Sequence, residues 1–140
     1  MIIVEHNADF PYPASAVFTV LADLERYPAW QQDVLEAQVN GPVREGAAVA
    51  QVRKVMGRRT ELSLTVTEYV PGELIAIQTV AGTRPAVTQR YAVHASGAGC
   101  RVEFLLELDG VPRMAEHLVR AQLGKQVPQL FQRLGSLLEA

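Results

Sequence analysis

Hydrophobic and polar residues alternate with a period of two through most of this 140-residue chain and shift to a helical period only towards its end. The alternation predicts strands over 2–10, 34–40, 47–56, 59–70, 73–80, 86–96 and 99–109. Turn formers separate them: Asn40-Gly41-Pro42, Gly57-Arg58, Pro71-Gly72, Gly82 and Gly97-Ala98-Gly99. Beyond the strands, Leu123, Val127, Leu130, Phe131, Leu134, Leu137 and Leu138 recur at helical spacing. With Met114, Ala115 and Leu118 extending the stripe, they predict one long helix from about Val111 to Glu139. Pro128 inside it removes a hydrogen bond and crowds the Gly124 carbonyl, which predicts a kink or a break near Gly124.

Antiparallel hairpins sort these residues onto two faces, because cross-strand partners share a face. With Gly97-Ala98 as a two-residue turn, Val93–Val102, Tyr91–Phe104, Gln89–Leu106 and Val87–Leu108 pair on one face. The other face receives His94–Arg101, Ala92–Glu103, Arg90–Leu105 and Thr88–Glu107. With Gly57-Arg58 as the turn, Val55–Thr60, Arg53–Leu62, Gln51–Leu64 and Val49–Val66 share the core face, and Lys54 faces Glu61 outside. Carrying the register through Pro71-Gly72 places Ile77 beside Val66 and Thr79 beside Leu64. The sheet thus has one apolar face, interrupted only by Arg and Gln, and the helix stripe is there to cover it.

After the first strand the chain reads Val17-Phe18-x-x-Leu21-x-Asp23, followed shortly by Tyr27-Pro28-x-Trp30. This segment resembles the opening of the START-like, helix-grip superfamily, which includes polyketide cyclase/dehydrase-type proteins, coenzyme-Q-binding proteins and lipid-transfer domains. As a residue motif the resemblance covers only this segment; in the order of elements it covers the chain. It implies an α+β helix-grip fold: a seven-strand antiparallel sheet wrapped around a long C-terminal helix, with two short helices between 13 and 33. It also implies that the apolar face lines a ligand cavity.

Composition narrows the function. The length and 49% hydrophobic content suit a single domain over 1–140 with one core. A formal net charge of -2 with no basic stripe argues against nucleic acid. The lone Cys100 excludes an intramolecular disulfide and suits the cytoplasm. The N-terminal apolar run is cut short by Glu5 and His6, unlike a signal peptide, and no stretch approaches the roughly 20 apolar residues that insertion into a membrane requires.

There is no Gly-x-Ser-x-Gly elbow, and Gly97-Ala98-Gly99-Cys100 opens a strand where a dinucleotide fingerprint opens a helix. His6, His94 and His117 lie on separate elements, so no metal, nucleotide or covalent cofactor is expected. His94 reads as a surface residue, and His117, at the edge of the helix stripe, as either surface or cavity mouth.

The candidate site is Gln51, Arg53, Gln89 and Tyr91, which share a face with Leu62, Leu64, Val66, Phe104 and Leu106. Burying an Arg and two Gln without partners costs several kcal/mol, on the order of 2–7 for each uncompensated group. Arg53 either snorkels to a sheet edge while the glutamines reach helix carbonyls, or these groups orient a ligand in an otherwise apolar pocket. The resemblance favours the ligand. Trp30 closes one end of that cavity or simply packs the core, and Leu123 faces it from the helix.

The leading reading is a binding module that transports, sequesters or presents a hydrophobic or amphipathic small molecule; the sequence is compatible with an oligomer. The alternative is a polyketide aromatase/cyclase-like enzyme that folds its substrate in the same cavity. No Asp, Glu or His reaches the core face in these registers to serve as its base. A protein-docking role is disfavoured by the charged, Thr-rich outer face.

Overall fold

The computed structural model describes residues 1–55 and 57–139. Seven strands form one antiparallel sheet: β1 (Ile2–Phe10), β2 (Val34–Val39), β3 (Ala48–Val55), β4 (Arg58–Val70), β5 (Leu74–Thr79), β6 (Ala86–Ser96) and β7 (Gly99–Asp109). Their order, β1-β7-β6-β5-β4-β3-β2, is a meander from β2 to β7, with β1 returned to the β7 edge. Between β1 and β2 lie α1 (Ala14–Ala22) and a 3₁₀ helix (Leu24–Ala29), and α2 (Arg113–Glu139) ends the chain. This is the α+β helix-grip arrangement, with strand limits within one residue of those read from the alternation. Position 56, the end of the expected strand 47–56, lies outside the described residues.

The β6–β7 register is the expected one, with Val93 opposite Val102 and Tyr91 opposite Phe104. Gly97 has φ 60°, as the first central position of this turn requires. The β3–β4 register differs by two residues: Gln51 pairs with Leu62, Arg53 with Thr60 and Lys54 with Arg59, so the Lys54–Glu61 pair does not form. The turn is centred one residue earlier than expected. A two-residue shift leaves every side chain on its original face, since the side-chain period is two.

Between β4 and β5 two departures cancel. Val70 pairs with Leu74 around a three-residue connection, and a bulge at Thr67 restores Val66 opposite Ile77 and Leu64 opposite Thr79.

The inner face carries Ile2, Val49, Leu62, Leu64, Val66, Ile75, Ile77, Val93, Val102, Phe104 and Leu106, all buried. From the helical side, Val17, Phe18 and Leu21 of α1 and Val127, Phe131 and Leu134 of α2 cover it. The α2 helix runs through Pro128 without interruption, so the chain does not break at Gly124.

Its covering stripe stops short. Met114 is 99% and Leu118 62% exposed, against the expectation that they prolong the stripe. Stepping back from Val127 by four residues reaches Leu123 and Val119; Leu118 lies about 100° further round the helix. The first half of α2 therefore stands off the sheet.

Two glycines on contrasting backgrounds test the packing. A Cβ at Gly99 would run into the Phe10 carbonyl oxygen, whereas one at Gly124 on α2 meets nothing within 4 Å. Gly99→Ala is expected to lower unfolding stability by about 1–3 kcal/mol through overpacking. Gly124→Ala is expected to raise it by about 0.5–1 kcal/mol. Urea denaturation measures both, and a destabilised Gly124→Ala would contradict this placement of the helix.

Candidate functional site: a cavity under the first half of α2

Where α2 stands off, a cavity of about 380 Å³ remains between it and the sheet. Its floor is Val87, Phe104, Leu106 and Leu108, and its roof is Val119, Leu123, Val127 and Leu130. At one side it meets Gln31, Gln32 and Asp33 of the segment leading into β2, with Arg53, Lys54 and Val55 of β3. Gln122, Gln126, Gln129 and Arg133 of α2 form a polar rim.

The closed end is aromatic. Trp30, Tyr27 and Tyr91 meet edge to face, with ring centroids 5.1–6.3 Å apart, and Phe104 and Phe131 continue the cluster at 5.0 and 6.5 Å from Tyr91. The Tyr27 hydroxyl donates to the Leu21 carbonyl at 2.7 Å, which ties α1 to the 3₁₀ helix.

Between this end and the cavity sits a polar bridge. Arg53 Nη2 donates to Gln31 Oε1 at 3.0 Å, and Gln31 Nε2 donates to the Tyr91 hydroxyl at 2.9 Å. Gln31 is 1% exposed, and its backbone is held on both sides: its N–H donates to the Tyr27 carbonyl (2.7 Å), and its carbonyl accepts from Val34 N–H (3.1 Å). Irregular pairing between β2 and β3 at Val34/Glu36 brings Asp33 alongside, where its carbonyl accepts from Lys54 N–H at 2.8 Å.

Burial pushes the Arg53 guanidinium down from its ordinary value, and the oxygens of Tyr91 and Asp33 push back. Burial also raises the Tyr91 phenol, an effect that Arg53 and the Gln31 hydrogen bond only partly offset. Tyr27 is raised chiefly by burial too.

Several buried polar atoms have no protein partner: Arg53 Nε, Gln89 Oε1, Trp30 Nε1 and both ends of the Gln51 amide. Each orphaned group costs on the order of 1–3 kcal/mol unless something else satisfies it. Arg53 and Gln89 also belong to the cavity wall.

Of the residues expected at the site, Arg53, Gln89, Phe104, Leu106 and Leu123 line the cavity. Trp30, Gln51, Leu64, Val66 and Tyr91 do not; they are buried in the core that closes its inner end. Their face is the expected one and their level along the strands is not. Arg53 lies at the level of Thr60, so Leu64 and Val66 are four and six residues further along β4, about 13 and 20 Å away. Leu62 is likewise core. His117 is exposed and outside the cavity wall, while Glu116 and Arg120 form a surface i,i+4 pair at 3.4 Å.

Sequence reasoning missed Gln31 and Asp33, which follow directly on Trp30. It also left unused Val87 and Leu108, already paired on the core face, and the glutamines at 122, 126 and 129, whose helical spacing runs beside the apolar stripe. The expectation that no Asp, Glu or His reaches the core face is corrected by His6, which lies opposite Phe104 and meets Phe131 at a ring-centroid distance of 5.2 Å; Asp33, just before β2, borders the cavity from its side.

Cys100 is buried and its thiol is raised by burial, the setting of an unreactive cysteine. Among the described residues no group of three or more His, Cys, Asp or Glu comes together to hold a metal ion. No described helix is long and apolar enough to cross a membrane.

A grip of sheet around helix that encloses a small cavity is the architecture of START-like ligand-cavity proteins. The chain belongs to the polyketide cyclase / dehydrase and lipid transport family, whose model matches residues 1–139. Solved structures of similar fold include a START superfamily protein from Mycobacterium smegmatis, with TM-score 0.82, 13% identity, and 98% of this chain and 97% of that one covered. The Zhui aromatase/cyclase from Streptomyces sp. R1128 superposes with TM-score 0.76 at 14% identity, covering 99% of this chain and 93% of that one. The di-domain ARO/CYC BexL from the BE-7585A biosynthetic pathway gives TM-score 0.76 at 16% identity, with 99% of this chain matching 47% of that one. No curated protein is significantly similar to the chain in sequence.

The raised phenols set a pH dependence. Unfolded tyrosines release their protons near 10.0, while folded Tyr27 and Tyr91 hold theirs to higher pH. The folded state then binds more protons than the unfolded one above that value, so stability falls as pH rises through it. The urea midpoint is expected to be lower at about pH 11 than at about pH 9, with a smaller drop in Tyr91→Phe. An equal drop in wild type and Tyr91→Phe would contradict the burial of that hydroxyl.

Proposed function

We propose that this protein binds a hydrophobic or amphipathic small molecule in the cavity between the sheet and the first half of α2, and transports, sequesters or presents it. The observation that carries the reading is the pairing of apolar floor and roof with unsatisfied Arg53 Nε and Gln89 Oε1 at the same cavity. Small-molecule sites are commonly built this way, with mostly apolar walls and a few polar groups that fix orientation, in pockets of about 300–1,000 Å³. The lone, buried Cys100 supports a reducing cytoplasmic setting for this work.

The aromatase/cyclase-like alternative draws support from Asp33, a carboxylate in the cavity wall near Arg53. It loses Tyr91, whose hydroxyl is engaged by Gln31 and does not line the cavity. Turnover of a reactive chain by the wild type, abolished in Asp33→Asn, would favour catalysis over binding.

Native mass spectrometry of protein purified from its own host tests the binding reading. The wild type is expected to carry a co-purified small molecule. Leu123→Trp, which fills the cavity from the helix side, is expected to lose it while keeping a wild-type circular dichroism spectrum. Ligand retained undiminished in Leu123→Trp would place the site elsewhere.

A further inference from the structure

The ionisable side chains of the cavity wall are unbalanced. Arg53 and Arg133 supply two cations and Asp33 the one carboxylate, an excess of one positive charge on a chain whose formal net charge is -2; Lys54 borders the cavity, but its side chain lies on the outer face of β3. Arg133 is exposed at the rim. Arg53 is the inner cation: half-buried as a residue, with its Nε enclosed and unpartnered and its Nη2 held by the neutral Gln31. Among the described residues no carboxylate oxygen lies within 4.0 Å of it. A partly buried guanidinium whose neighbouring carboxylate, Asp33, makes no ion pair with it is a costly arrangement that an incoming anion relieves.

The geometry points to the ligand class: we propose that the cavity takes a hydrophobic monocarboxylate, with its carboxylate on Arg53 and its apolar body between Leu106 and Leu108 below and Val119 and Leu123 above. The inference rests on the small-molecule reading and narrows it. One inner cation matches one negative charge, and a phosphate dianion would leave a second charge uncompensated inside. The guanidinium edge suits a carboxylate, which accepts from Nε and a neighbouring Nη together.

Size follows from the 380 Å³ volume. At about 30 Å³ for each water-sized atom, the cavity holds on the order of a dozen non-hydrogen atoms. Gln31 is a positioning residue here, since its amide fixes the guanidinium against Tyr91 so that Nε stays free.

The test uses three probes with the same ten-carbon chain: decanoate, decanol and decyltrimethylammonium, each titrated calorimetrically into delipidated protein. Decanoate is expected to bind at least about tenfold more tightly than decanol, the scale of a hydrogen bond to a charged group, and the cation more weakly than either. Arg53→Met is expected to abolish the preference for decanoate over decanol. Equal affinities in the wild type, or a preference that survives in Arg53→Met, overturn the carboxylate inference and leave small-molecule binding intact.

A readout on the unaltered protein guards against an unstable Arg53→Met. The carboxyl carbon of labelled decanoate, followed by NMR, is expected to titrate at lower pH when bound than when free; an upward or absent shift overturns the inference. Absence of decanoate binding also overturns it, and a co-purified ligand of other chemistry would then show that the broader reading still holds.

Discussion

The structure depends on how much of the inner sheet face one helix can cover. A curved antiparallel sheet with an apolar face has to bury it, and here the cover comes from α1, the 3₁₀ segment and the second half of α2. Phe131 is the pivot of that cover. It contacts Phe104 and Tyr91 across the sheet and His6 on β1, at centroid distances of 5.4, 6.5 and 5.2 Å. Towards the N-terminus of α2 no such large residue reaches inward. There the roof is Val119 and Leu123, joined by Val127 and Leu130 further along, the gap stays open, and the cavity is the result.

The same constraint gives the cavity its polarity. At the boundary between packed core and cavity polar side chains persist with part of their bonding satisfied, while Gln51, inside the core, has neither end of its amide bonded. Gln31 spans that boundary, bonded to Tyr91 on the core side and Arg53 on the cavity side. Orphaned Arg53 Nε and Gln89 Oε1 mark where the protein's own partners run out. Outside, the sheet is stitched by exposed ion pairs such as Arg90–Glu68 and Arg101–Asp9, contacts worth about 0–1 kcal/mol each, and they play no part in the site.

Much of this was legible in the sequence, for a reason specific to sheets. Alternation assigns a face without knowledge of the exact register, so a β3–β4 pairing two residues off still put Gln51 and Arg53 inside. Alternation carries no information about level along a strand. Leu64, Val66 and Tyr91 were therefore assigned to a cavity wall when they belong to the closed end. Helical spacing failed similarly at Met114 and Leu118, which are apolar and near the stripe but displaced around the helix. Gln31 could not be found from periodicity at all: it lies between elements, and its role comes from backbone hydrogen bonds that fix the turn after Tyr27.

The central claim is that the space under the first half of α2 is a ligand site and not a packing defect. A crystal structure of protein purified without delipidation tests it most directly. The account predicts continuous non-protein density between Leu106 and Leu123 that ends against Arg53. A cavity closed by α2 settling onto Phe104 and Leu106, with Arg53 turned out to solvent, would contradict it.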